Sequence, residues 1–295
     1  MDSISARSSV GIDRRIPTWA AGVLARLAQD RPTVLTRADI GKYLAEVASD
    51  RDVERTIHEL QRLGWIAPLR LKGVWAYLPP GEAEVIDPYI DLRAWRARNP
   101  TATFALAGEA AAWHLGYLAR AFDGAVSVWV PVGTRIPHGL RTHVSVVTLG
   151  WGADLAQRLG PSSALLHRRH LDLTAWASGL PAFGPDALVV QLAGRPASFR
   201  AWADLVPNLS RLVADCDPVR LPELLAGHSA ATWQRAAYLV HRGGGDDLAA
   251  VLLAGRPPGK MQHVAIGAGD NADWSREFGV SDRLVAPLQR VLGKA

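Results

Sequence analysis

Residues 36–78 read TRADIGKYLAEVASDRDVERTIHELQRLGWIAPLRLKGVWAYL, and the succession of periodicities inside them decides the fold of the N-terminal part. Over TRADIGKYLAEV, Ile40, Leu44 and Val47 recur at helical spacing. Thr36 is a suitable N-cap there, with Arg37 to Asp39 as the first turn. After a short ASD turn, RDVERTIHELQRLG predicts another helix, stopped by Gly64 at its C-terminal cap. Ser49 is placed to cap that helix, and Asp52 to favour its dipole. Beyond Gly64 the period changes. WIAPLR and VWAYLP are short aromatic and β-branched runs separated by LKG, which predicts a hairpin, and Pro68 confines its strand to a sheet edge. Upstream, TWAAGVLARLAQD brings Val23, Leu24 and Leu27 onto one helical face before Pro32 interrupts. Three helices and a hairpin, the last two helices joined by a turn of about three residues, are in the order of a winged helix-turn-helix. This reading assigns residues 1–80 to such a domain.

The third helix then reads as a DNA-contacting element. With Arg51 as origin and about 100° per residue, Arg55, His58 and Arg62 fall at about 40°, −20° and 20°. Val53, Ile57 and Leu60 fall almost opposite, so one face is basic and the other apolar. Glu54 and Glu59 lie to either side of the basic stripe. A helix of this kind in a helix-turn-helix enters the major groove, where arginine pairs with guanine or clamps phosphate. The alternative is an ordinary solvated face. Arg70 and Lys72 around Gly73 are placed to reach the neighbouring backbone, and Arg7, Arg14 and Arg15 to form a basic arm. The expected DNA contacts are Arg37, Arg51, Arg55, His58, Arg62, Arg70 and Lys72.

Pro79, Pro80 and Gly81 punctuate the chain and set the expected start of a second domain, residues 81–295. Helical periodicity in LAGEAAAWHLGYLARAF, SAATWQRAAYLV and DDLAAVLLAG alternates with strand-like AVSVWVPV, HVSVVTL, DALVVQLAG and HVAIG. The expected class is α+β: a winged helix-turn-helix followed by a larger mixed α/β domain. Composition agrees, with 48% hydrophobic and 21% charged residues excluding wholesale disorder. No apolar run reaches the roughly 18 residues that span a bilayer. Residues 1–9 mix Asp2 and Arg7 with serines and predict no signal peptide, hence a cytoplasmic protein. Of the net charge of +5, +3 lies in residues 1–80, where the motif lies.

A search for chemistry is negative. Gly255-Arg-Pro-Pro-Gly259-Lys260-Met261 is one residue short of a phosphate-binding loop and lacks its hydroxyl. No lysine follows an acid at the two-residue spacing of restriction-type nucleases. His167 and His170 enclose two arginines that would repel a metal ion. The lone Cys216 excludes disulfides within the chain, and its apolar setting predicts an inert thiol. Residues 243–245 predict an interhelix turn, and Pro185 with Asp186 a turn before a strand. Most of the eleven tryptophans, among them Trp95, Trp113, Trp129, Trp176, Trp202 and Trp233, sit at expected core positions. Neither a catalytic site, a metal nor a cofactor is expected.

LAGEAAAWHLGYL followed by VSVWVPVGTRIPHGLRTHVS resembles the AbiEi-type antitoxins of type IV toxin–antitoxin systems. The matching residues are Gly108, Ala110 to Ala112, His114 and Leu115, then Val130, Pro131, Gly133 and Arg135, then Gly139, Arg141 and His143. The resemblance implies an autorepressor that binds its own promoter and counteracts a nucleotidyltransferase-like toxin, without requiring a stable complex. Arg135 and Arg141 flank a Gly/Pro-rich loop, fit either to bind phosphate or a partner or to pair with local carboxylates. A monomer and a homodimer both fit, and the alternative function is a ligand-sensing winged-helix regulator with a deep apolar pocket.

Overall fold

The computed structural model describes residues 14–120, 123–130, 134–147, 173–175, 180–268, 270 and 272–293. The chain forms two compact units, residues 1–102 with 136–141, and residues 103–135 with 142–295. Residues 81–102 therefore fall within the first unit, beyond the boundary expected at 80.

In the first unit a 3₁₀ turn at Thr18–Ala20 leads into α1 (Ala21–Asp30), β1 (Val34–Thr36), α2 (Arg37–Glu46), α3 (Val53–Arg62), β2 (Ile66–Pro68), β3 (Val74–Tyr77) and α4 (Ile90–Arg98). The sheet is antiparallel in the order β1-β3-β2, with Val34 opposite Ala76 and Ile66 opposite Tyr77. Pro68 lies on the edge strand, where its missing N–H breaks no ladder. The hairpin thus acquires a third strand, VLT, too short for its period to be read. Val23, Leu24, Leu27, Leu35, Ile40, Leu44, Ile57 and Leu60 form one buried cluster with Trp65 and Ile66. At roughly 1.5–3 kcal/mol per fully buried aliphatic side chain, this cluster is the main favourable term for the unit. Leu92, Ala94 and Trp95 are the buried face of α4, which packs on β1 and β3.

Local signals place α2 and α3. Thr36 Oγ1 accepts the Asp39 N–H at 3.3 Å, and the Asp39 carboxylate accepts the Thr36 N–H at 2.9 Å, a reciprocal capping box. The N-cap of α3 is Asp52, whose carboxylate accepts the Arg55 N–H at 2.9 Å. Ser49, expected in that role, instead accepts the Arg51 N–H at 3.4 Å. Arg51 consequently precedes the helix. Gly64 takes a left-handed φ of +75° just past the end of α3, as its expected capping role requires.

The 136–141 segment carries a 3₁₀ turn, His138–Leu140, with Leu140 fully buried. Gly139 lies so close to the β2–β3 turn that a Cβ there would sit 2.4 Å from the Arg70 carbonyl oxygen. No other residue fits without moving backbone.

The second unit is built on a five-stranded mixed sheet: β4 (Ala105–Leu106), β5 (Val126–Trp129), β6 (Val144–Val147), β7 (Leu173–Ala175) and β8 (Pro181–Phe183), in the order β6-β5-β4-β8-β7. Between and after them come α5 (Gly108–His114), α6 (Pro185–Gly194), α7 (Trp202–Leu205), α8 (Leu209–Ala214), α9 (Arg220–Leu225), α10 (Ala230–Arg242) and α11 (Asp246–Ala254). A small sheet of β9 (Val264–Ile266), β10 (Asp273–Ser275) and β11 (Val280–Asp282), ordered β10-β11-β9, precedes α12 (Val285–Leu292).

Two expectations change here. DALVVQLAG is the helix α6 rather than a strand, because residues 186–193 are all buried and no polar face reveals the 3.6-residue period. Pro185 and Asp186 form its first turn instead of a turn before a strand. Residues 243–245 do link two helices, and Cys216 is buried. Trp95, Trp129, Trp202 and Trp233 are core residues, and Trp113 is partly buried. Trp176 lies outside the described residues.

Buried polar groups hold this unit together. Glu109 accepts from Ser127 Oγ and the Arg200 N–H, each at 2.7 Å. Asp282, fully buried, accepts from Tyr238 Oη and from the N–H groups of Leu284, Val285 and Ala286 at 2.7–2.8 Å, capping α12 from the small sheet. Asp186 accepts the Asp217 N–H at 2.9 Å. Burial, then the Asp217 charge, push its carboxyl up to about 6 despite that bond.

Candidate nucleic-acid interface

The outward face of α3 is set by its buried one. Thr56, Ile57 and Leu60 are buried, and Thr56 donates back to the Asp52 carbonyl at 2.8 Å. Arg55, His58 and Arg62 are therefore exposed on the opposite side. Neither His58 nor Arg62 has a side-chain partner among the described residues, so both are free to meet a ligand.

The acids beside this face change the expected picture. Glu59 binds Arg51 Nη2 through Oε2 at 2.8 Å and Arg55 Nε through Oε1 at 3.2 Å. Arg51 does not project from α3 at all. Its guanidinium lies 3.9 Å from the centroid of the Trp19 ring, and its side chain is only 27% exposed. The helical projection failed for Arg51 because the helix starts two residues later, at Val53. Arg55 remains 75% exposed despite its pair. Arg37 pairs with Glu54 across α2 and α3 at 3.0 Å, both side chains exposed. Such exposed pairs contribute roughly 0–1 kcal/mol and open readily to a stronger anion.

In the β2–β3 turn, Lys72 is exposed while Arg70 donates to Asp91 of α4 at 2.9 Å. The expected basic arm is reduced. Arg14 is a structural clasp, donating to the Leu78 and Pro79 carbonyls at 2.7 and 3.0 Å and also to that of Glu82. It also stacks on Trp65, 5.4 Å from the ring centroid. Arg15 is exposed, and Arg7 lies outside the described residues.

Arg135 and Arg141 are both exposed, with no carboxylate among the described residues paired to either, but they belong to different units. Pro131, Gly133, His167 and His170 lie outside the described residues. Among the described residues no three His, Cys, Asp or Glu side chains gather as a metal site. No helix there is long and apolar enough to cross a membrane. A cleft of about 270 Å³ in the second unit is walled by Arg120, Asp123, Arg200 and Asp204, with Leu118 among the apolar contributors. It is a charged depression, unlike the apolar pocket expected of a small-ligand sensor.

Glu59 and Trp19 were not foreseen as parts of this face. The i,i+4 spacing of Arg55 and Glu59 is a legible pairing signal. Nothing in the linear pattern joins Trp19, Arg51 and Glu59.

The first unit thus carries a partly uncompensated cationic helix face, and the second is a larger α+β unit. The second part gives the family. Residues 103–242, starting at the first residue of the second unit, match the AbiEi antitoxin C-terminal domain, so this part of the chain is an AbiEi-type antitoxin domain. That domain gives the chain an antitoxin role in a toxin–antitoxin pair. Among solved structures, that of the RV2827C protein from Mycobacterium tuberculosis is 50% identical, with a TM-score of 0.81, covering 97% of this chain and 98% of that one. No curated protein matches the chain.

Proposed function

We propose that the first unit is a winged helix-turn-helix that binds duplex DNA from the protein's own promoter and represses its operon. In this reading the second unit carries the activity that neutralises a nucleotidyltransferase-like toxin. The observation that carries the DNA reading is the exposed cationic face of α3, Arg55, His58 and Arg62, held over a buried apolar back. The helix order and the antiparallel hairpin support it, α3 being the reading helix and the β2–β3 turn the wing that brings Lys72 to the backbone.

The direct contacts in this reading are Arg55, His58, Arg62 and Lys72, with Arg37 and Arg70 able to leave their carboxylates for phosphate. Arg135 and Arg141, both exposed, are kept as partner or phosphate contacts of the antitoxin function. The test is titration of the full chain with the duplex immediately upstream of its own coding sequence, against an unrelated duplex of equal length and base composition. Binding should favour the promoter, fall steeply with salt, and weaken at least tenfold in the His58→Ala/Arg62→Ala double variant. Equal affinity for both duplexes would overturn the repressor reading. For the antitoxin role, growth of cells expressing the toxin should be rescued by the full chain and lost on deletion of residues 142–295.

A further inference from the structure

Four side chains from three places in the first unit meet in one chain of contacts: Trp19 in the N-terminal 3₁₀ turn, Arg51 before α3, and Glu59 and Arg55 on it. We infer that Glu59 is a specificity-determining positioning residue, which fixes the Arg55 guanidinium to read a base end-on, while Arg51 braces Glu59 and touches no DNA. This rests on the DNA-binding reading above.

The geometry is directional. Arg51 is held by its flat face on Trp19, with its Nε buried. One end remains for Glu59 Oε2 at 2.8 Å. Glu59 is thereby pinned at 21% exposure and turns Oε1 to Arg55 Nε at 3.2 Å. With Nε occupied, Arg55 presents Nη1 and Nη2, neither of which has a partner among the described residues. Those two groups form the fork that spans guanine O6 and N7. A free arginine in the same place would search many rotamers and would meet a phosphate as readily as a base. A carboxylate beside the fork also repels phosphate, so it penalises sequence-independent contact at that position.

The experiment compares promoter and unrelated duplexes at several salt concentrations, using the full chain and single variants whose melting temperatures are recorded. Glu59→Gln is expected to tighten binding to the unrelated duplex and to cut the promoter-to-unrelated ratio by about tenfold. Arg55→Lys keeps the charge on an exposed side chain but loses the fork, and is expected to lower the ratio similarly with the salt slope unchanged. Arg51→Gln is expected to lower the ratio, again with an unchanged slope. A slope reduced by about one in Arg51→Gln would make Arg51 a phosphate contact and overturn the brace. An unchanged ratio in both Glu59→Gln and Arg55→Lys would overturn the positioning role, even where promoter binding itself stands. Absence of promoter preference in the unaltered chain would remove the underlying reading instead.

Discussion

The two units place their polar side chains in opposite ways. In the first, the buried cluster is almost wholly apolar, and the charged residues of α3 and the β2–β3 turn are carried outside it. In the second, Glu109, Asp186, Gln191, Gln234 and Asp282 are buried, and each bonds to a segment remote in sequence. Buried polar groups are costly to strip of their partners, whereas exposed charges contribute little to folding. The first unit is therefore open to changes in what it binds at constant stability. The second answers changes at its polar positions by unfolding.

The most severe test of this contrast is Asp282→Ala, which leaves a tyrosine hydroxyl and three helix N–H groups without their acceptor. Loss of about 3–5 kcal/mol is expected, read as a lower urea midpoint with an unchanged slope. An unmoved midpoint would break the contrast.

Next in size is a pH effect from Asp186. Its carboxyl lies at about 6 when folded, against an ordinary 3.8, so the folded state holds the proton more tightly. This contribution is greatest below pH 3.8, falls as pH rises through the interval up to about 6, and is level above it. Asp186→Asn should flatten that part of the stability profile, a change on the order of 1–2 kcal/mol after solvent screening.

Thr36→Ala sharpens the contrast from the other side, because Thr36 is a polar residue of the first unit that does hold structure. Removing half of the capping box should cost about 1 kcal/mol in thermal melting. Smallest in stability is Arg62→Ala, expected to shift it by less than about 0.5 kcal/mol while weakening promoter binding several-fold. A large loss of stability there would show that the face of α3 is structural.

How much of this was legible follows from where each signal resides. The helices of the first unit could be read because one face is apolar and the other charged, and Thr36 and Gly64 cap as their chemistry dictates. Arg55, His58 and Arg62 are exposed on the side of α3 where the helical projection puts them. The projection failed for Arg51 because one capping residue, Asp52, shifts the helix start, and for Glu59 because a helical projection ignores the reach of a long side chain. β1 escaped notice because three residues carry no measurable period. The helix α6 escaped because complete burial removes the alternation by which helices are recognised. The Gly-x-Arg-x-His element was visible as a motif, but nothing local says that Gly139 is there to admit the Arg70 carbonyl.

That last contact has a consequence for how such genes can be recombined. The polypeptide leaves the first unit after residue 102 and returns to it for residues 136–141. A crossover between relatives anywhere from codon 103 to codon 135 takes residues 136–141 from the other parent, and a parent with any residue larger than glycine at position 139 would set it against the Arg70 carbonyl. The first unit passes on whole only when the breakpoint lies beyond residue 141, so the inherited block is longer than residues 1–102 alone.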